Sequence, residues 1–125
     1  MSVLIDSDIV IEVLRERDQA ILAQWGKLAD SLSPILVSPI TVAEIEAGAR
    51  SREMPAIARC FAPLTCVAID QKIGQLAGVY LRQYAKSHHL EIADALIAAS
   101  AMQCKAALWT RNRKHYPMPE LKFYA

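Results

Sequence analysis

Val3-Leu4-Ile5-Asp6-Ser7-Asp8-Ile9-Val10-Ile11 is the stretch on which the reading of this chain turns. Three consecutive apolar residues run without a turn into Asp6, Ser7 and Asp8, whose short oxygen-bearing side chains favour helix N-caps. The amphipathic residues 9–17 follow. This is a strand leading straight into a helix. A strand apolar at every position belongs to a sheet covered on both faces, and such sheets are mainly parallel.

The pattern recurs downstream. Residues 19–32 repeat helical spacing through Ile21, Leu22, Trp25, Leu28 and Ala29, and Ser33-Pro34 then breaks it ahead of a second strand, Ile35-Leu36-Val37. Pro39 and Thr41 open a helix over 42–51, with Thr41 and Glu44 in capping-box spacing. A Pro-interrupted helical stretch at 56–61 precedes a third strand over 66–69 that ends at Asp70. A long helix over 71–87 and another over 92–103 lead to a fourth strand, Ala107-Leu108-Trp109, and a short fifth at 122–124. Strands alternating with helices predict an α/β chain: a three-layer α/β/α domain around a mainly parallel four- to five-stranded sheet, with residues 1–125 as one domain. In such sheets ligands bind beyond the carboxyl ends of the strands, here at Asp6, Ser38-Pro39, Asp70 and Thr110-Arg111-Asn112.

Composition narrows the classes. With 14 basic and 13 acidic residues in 125, and 54% hydrophobic, the chain is expected to be globular rather than disordered, and it lacks the overall basic excess of most nucleic-acid binders. The charge is uneven, however. Lys105, Arg111, Arg113, Lys114 and Lys122 face Glu120 alone in residues 105–125. No apolar run approaches the roughly 18 residues of a membrane span, and Asp6 and Asp8 interrupt any secretory signal, so a cytoplasmic protein is expected. Cys60, Cys66 and Cys104 form no CxxC pair; they read as small buried thiols without a disulfide framework.

Three carboxylates stand in unusual surroundings. Asp94 is the only charge between Ile92 and Cys104, and its helical neighbours Ile97, Ala98 and Ala101 are apolar. A carboxylate on such a face must be hydrogen-bonded, paired, protonated or metal-bound, or else it caps the first helical turn. Glu44 has the capping box as its structural alternative, and Asp6 has the cap of the first helix. The α/β topology nevertheless carries all three towards one sheet edge. There they would repel one another by roughly 4 kcal/mol per close pair at an effective dielectric near 20, which calls for a cation between them. Oxygen donors without clustered Cys or His match Mg²⁺ or Mn²⁺. Such an ion activates water and neutralises charge on a phosphate, and an acidic cluster beside a basic segment therefore reads as phosphodiester hydrolysis. In that segment Thr110 and Asn112 suit a metal's water shell, Arg111, Arg113 and Lys114 suit nucleic-acid phosphates, and Tyr116 suits base stacking. Read alone, without the acidic cluster, the segment is an ordinary polar loop with a solvated charge run. His88, His89 and His115 lack metal-binding spacing.

Four segments in order resemble the PIN domain and, within it, VapC-type ribonuclease toxins of prokaryotic toxin–antitoxin pairs. They are Leu4-Ile5-Asp6-Ser7-Asp8-Ile9-Val10-Ile11, Ile40-Thr41-Val42-Ala43-Glu44-Ile45 with Gly48, Ala93-Asp94-Ala95-Leu96-Ile97-Ala98-Ala99, and Leu108-Trp109-Thr110-Arg111-Asn112. The resemblance implies a Mg²⁺- or Mn²⁺-dependent endoribonuclease with Asp6, Glu44 and Asp94 as the acidic metal-binding core. It implies a fourth group after the fourth strand, and Ser7 and Thr110 in support. The chain departs from the commonest pattern by having Asn112 and not Asp in that fourth position, so one charge is missing. The resemblance also implies an RNA substrate, homodimers packing through early helices with Trp25 or Leu28 as contributors, and a small VapB-type antitoxin whose tail crosses the groove.

Two other readings remain open. Asp6-Ser7-Asp8-Ile9-Val10 also fits the opening of haloacid-dehalogenase-like phosphatases, although no acidic pair follows the later strand. A non-catalytic α/β interaction module is the other, either a degenerate PIN domain or a receiver-like domain centred on Asp70.

Overall fold

The computed structural model describes residues 1–125. Four strands, β1 (Val3–Ile5), β2 (Ile35–Val37), β3 (Thr65–Cys66) and β4 (Ala107–Trp109), form one sheet in the order β3-β2-β1-β4. Every pairing is parallel, with Ile5 opposite Val37 on one side and Trp109 on the other. Six helices surround the sheet: α1 (Ser7–Arg15), α2 (Gln19–Asp30), α3 (Pro39–Ala47), α4 (Met54–Phe61), α5 (Gln71–His88) and α6 (Ile92–Gln103).

Alternation along the strands divides the core in two. Leu4, Leu36 and Leu108 face α5 and α6 through Ile73, Ala77, Tyr80, Ile97, Ala98 and Ala101. Val3, Ile5, Ile35, Val37 and Trp109 face the other way, onto Ile9, Val10, Ile21, Leu28 and Ile57 of α1, α2 and α4. Apolar residues at every strand position thus serve two cores, which is the expected three-layer α/β/α arrangement.

Some local expectations shift. The third helix begins at Pro39, three residues earlier than the spacing predicts. Ser38 is its N-cap, accepting the Ile40 N–H at 3.1 Å, and Pro39 fills the first turn where no N–H is required. The Thr41–Glu44 capping box is therefore not formed, and the Thr41 hydroxyl is buried without a hydrogen-bond partner. The third strand is shorter and earlier than 66–69, because β2 ends at Val37, which lies opposite Cys66. Cys66 on this edge strand is exposed, contrary to the buried thiol expected; Cys60 and Cys104 are half-buried, and all three are free. The fifth strand reduces to a single parallel bridge, Leu108 to Phe123. Leu28 is buried within the protein's own core, so it does not serve as an exposed dimer contact. No helix is long and apolar enough to cross a membrane.

Candidate active site

β1 is the switch point of the sheet: connections run from it through β2 to β3 on one side, and β4 returns on the other. Beyond its carboxyl end a crevice is expected. Asp6 stands there, 7% exposed, its backbone N–H bonded to Trp109 O at 2.9 Å. It is both the N-cap of α1 and a member of the acidic group. Its Oδ1 accepts the Ser7 N–H at 2.8 Å, while Oδ2 accepts Thr110 Oγ1 at 3.0 Å and the Tyr116 hydroxyl at 2.8 Å. The cap reading of Asp6 holds, and the same carboxylate is hydrogen-bonded to the end of β4 and to Tyr116.

Asp94 is in the first turn of α6 but does not cap it; Glu91 occupies the N-cap position. Its carboxylate turns instead to the same Tyr116 hydroxyl, 3.5 Å from Oδ1. Ile97, Ala98 and Ala101 beneath it are buried, as the apolar spacing implied. Burial lifts Asp94 above its ordinary carboxylate value, with the Asp6 charge adding to the rise and nearby His115 opposing it. Glu44 extends from α3 and is largely exposed. Desolvation of its carboxyl raises it, Asp6 and Asp94 add to this, and the Ser7 hydroxyl favours its charged form. Asp6, Glu44 and Asp94 are therefore electrostatic neighbours at one edge.

Two residues of this edge take places that the sequence reading did not give them. Asp8 appeared there as a possible cap and as part of the phosphatase-like opening, yet its Oδ2 accepts the Arg111 N–H at 2.9 Å and the Asn112 amide N–H at 3.2 Å, and lies 3.4 Å from the Thr110 hydroxyl, whose one proton has its shorter bond to Asp6. Its Oδ1 is buried with no hydrogen-bond partner. Burial, then the charge of Asp6, raises Asp8, and the Arg111 N–H works against them. Asp8 thus brings to the end of β4 the charge that Asn112 lacks. Tyr116 is the second. It is 3% exposed and bonded inward, so it is not a platform for stacking bases.

The predicted cations are partly engaged. Arg111 pairs with Glu12 at 3.1 Å, and Glu12 also holds Arg17 at 2.7 Å. The Arg113 guanidinium lies 5.0 Å from the Phe123 ring centre, and Lys114 is exposed. Asp70, the centre of the receiver-like reading, caps α5 by accepting the Ile73 N–H at 3.0 Å.

In this side-chain arrangement no three carboxylates close on a single point. The donor set nevertheless suits a hard divalent ion: carboxylate oxygens, no thiol, and a buried Asp8 oxygen lacking a partner.

The family model of the PIN domain matches residues 3–121. The chain is similar to Ribonuclease VapC19 of Mycobacterium tuberculosis, 31% identical over 121 residues that span 95% of this chain and 96% of that protein. Ribonuclease VapC10 of the same organism is 33% identical over 119 residues, covering 94% and 88% of the two chains. In fold the chain is similar to the structure of VapBC2 from Rickettsia felis bound to a DNA fragment from their promoter. There the TM-score is 0.82 and the identity 22%, over 99% of this chain and 98% of that one.

Proposed function

The chain belongs to the PIN domain family, and we propose on that premise that it is a divalent-metal-dependent endoribonuclease, the toxin of a VapBC-type toxin–antitoxin pair. One observation carries the proposal. Asp6 and Asp94, far apart in the chain, meet on one buried hydroxyl beyond the switch point of the sheet. The ribonuclease names of the two mycobacterial relatives support the choice of RNA as substrate.

Asp6, Asp94 and Glu44 would hold Mg²⁺ or Mn²⁺, which when bound supplies an activated water and neutralises charge on the phosphate. The protein's own residues prepare that site. The Ser7 N–H and the Thr110 hydroxyl hold the Asp6 carboxylate in one orientation. Asn112 steadies Asp8 at the rim through its amide. Arg111, fixed by Glu12, stands with Arg113 and Lys114 as the surface that would meet RNA phosphates. A small VapB-type antitoxin and a second copy of the chain are the protein partners of this reading, and the cytoplasm is its setting.

The test is direct. Asp6→Asn and Asp94→Asn, assayed separately on structured RNA with Mg²⁺ or Mn²⁺, are expected to lose more than about 100-fold in cleavage with unchanged circular dichroism. Wild-type cleavage by both variants would overturn the assignment.

A further inference from the structure

We propose that Tyr116 is a positioning residue of the acidic centre: its hydroxyl, seated between Asp6 and Asp94, sets how the two carboxylates face one another and thereby how tightly they hold a divalent cation. This rests on the reading of Asp6 and Asp94 as cation ligands.

The ring belongs to the core on the α5 and α6 side, packed with Met118 and Leu121 of its own segment and with the buried face of α6. Phenylalanine would fill that space equally well. The hydroxyl is what packing does not explain, since a buried polar group is costly unless it is hydrogen-bonded. Its acceptors are two like-charged groups, Asp6 Oδ2 at 2.8 Å and Asp94 Oδ1 at 3.5 Å. One proton cannot serve both fully, so the short bond goes to Asp6 and Asp94 has the weaker share.

The consequence is a division of labour between oxygens. Asp6 Oδ2 accepts two hydroxyls, Thr110 and Tyr116, while Oδ1 accepts only the Ser7 N–H. A carboxylate oxygen has room for two partners, so Oδ1 is the one left with capacity for a cation. Donors of this kind around ligating carboxylates fix orientation, and their loss typically costs 10–100-fold in metal affinity. The other buried tyrosine, Tyr80, is a built-in control: its hydroxyl donates to one carboxylate, Glu120, at 3.0 Å.

Mn²⁺ binding is followed by the paramagnetic resonance of free Mn²⁺ at constant pH for the wild type, Tyr116→Phe, Tyr80→Phe and Asp94→Asn, each first melted without metal to establish that it folds. The wild type is expected to bind, Asp94→Asn to lose binding, Tyr80→Phe to match the wild type, and Tyr116→Phe to bind about tenfold or more weakly. Cleavage by Tyr116→Phe should then return towards the wild-type rate as Mn²⁺ is raised, which a merely structural defect would not do. Equal Mn²⁺ affinity in Tyr116→Phe and wild type overturns the role of Tyr116. A wild type that binds no Mn²⁺, or an Asp94→Asn variant that binds it unchanged, overturns instead the cation reading beneath it. Should Tyr116→Phe fail to fold, the wild type labelled at the tyrosine ζ-carbon decides. Mg²⁺ is expected to shift the Tyr116 resonance and leave that of Tyr80 in place, and an unmoved Tyr116 signal overturns the proposal.

Discussion

In the proposed site Asn112 takes the place of a fourth carboxylate, and its amide gives that place a hydrogen-bond donor. Nδ2 donates to Asp8 Oδ2 at 3.2 Å. Asn112→Asp would remove that donor and set two carboxylates against each other. Because the position is exposed, solvent screens most of the repulsion, and the expected loss in the metal-free protein is about 1–2 kcal/mol. Urea denaturation checks it: the loss should shrink when Mn²⁺ is present, and a variant as stable as wild type without metal would sink the account. At this scale the sequence was legible where chemistry contradicted surroundings. Asp94 among alanines and isoleucines was conspicuous. Asp8 was not, because a cap position explains an aspartate without further need. Tyr116 was hidden by the charged residues before it. The apolar positions that follow, Met118 and Leu121, were the available sign that the chain had already turned inward.

Helix ends account for most of the differences in the elements. Both Ser38 and Thr41 are competent caps, and Pro39 decides for Ser38, since proline is tolerated in the first turn and not deeper. β3 and the residual fifth strand lie at the two edges of the sheet, where pairing on one side only leaves little in the sequence to fix their length. The central strands β1, β2 and β4 were readable because burial on both faces demands unbroken apolar residues. At the end of α5 the chain leaves through His89 in the left-handed region, φ 52°. A side chain there costs roughly 1–2 kcal/mol, of which the greater unfolded freedom of glycine cancels part. His89→Gly is therefore expected to stabilise the protein by about 0.5 kcal/mol and to raise its melting temperature by about 2 °C. A lower melting temperature would mean that His89 makes a contact worth more than the strain it carries.

The acidic edge governs how the whole molecule responds to pH. Asp8, Glu44 and Asp94 all lie above their ordinary values of 3.8, 4.5 and 3.8 in the fold. A raised carboxyl favours the folded state fully below its unfolded value and loses that contribution as pH rises through its folded one. Glu12, lowered chiefly by Arg17, has the opposite sign but acts only below 4.5. The metal-free protein should therefore melt higher at about pH 5.5 than at about pH 7.5. Saturating Mn²⁺ should reverse the order by binding the ionised carboxylates. Calorimetry at both pH values decides; a metal-free melting temperature that rises with pH would contradict the burial described for these groups. The same edge is legible from topology, since a βα alternation fixes which strand ends come together, whereas the hydrogen bonds among them depend on side-chain directions that spacing does not encode.

The strand order also bears on the timing of biosynthesis. β1 is completed by its pairing with β4, and Asp6 is braced by Thr110 and Tyr116 from the far end of the chain. A nascent polypeptide halted before Asp94 has Asp6, Asp8 and Glu44 but neither Asp94 nor the Thr110 and Tyr116 hydroxyls that clasp Asp6. On the proposed function, a polypeptide ended there would lack the groups that hold the acidic edge together, and a ribosome would have to pass Tyr116 before its product acquired any capacity to cut.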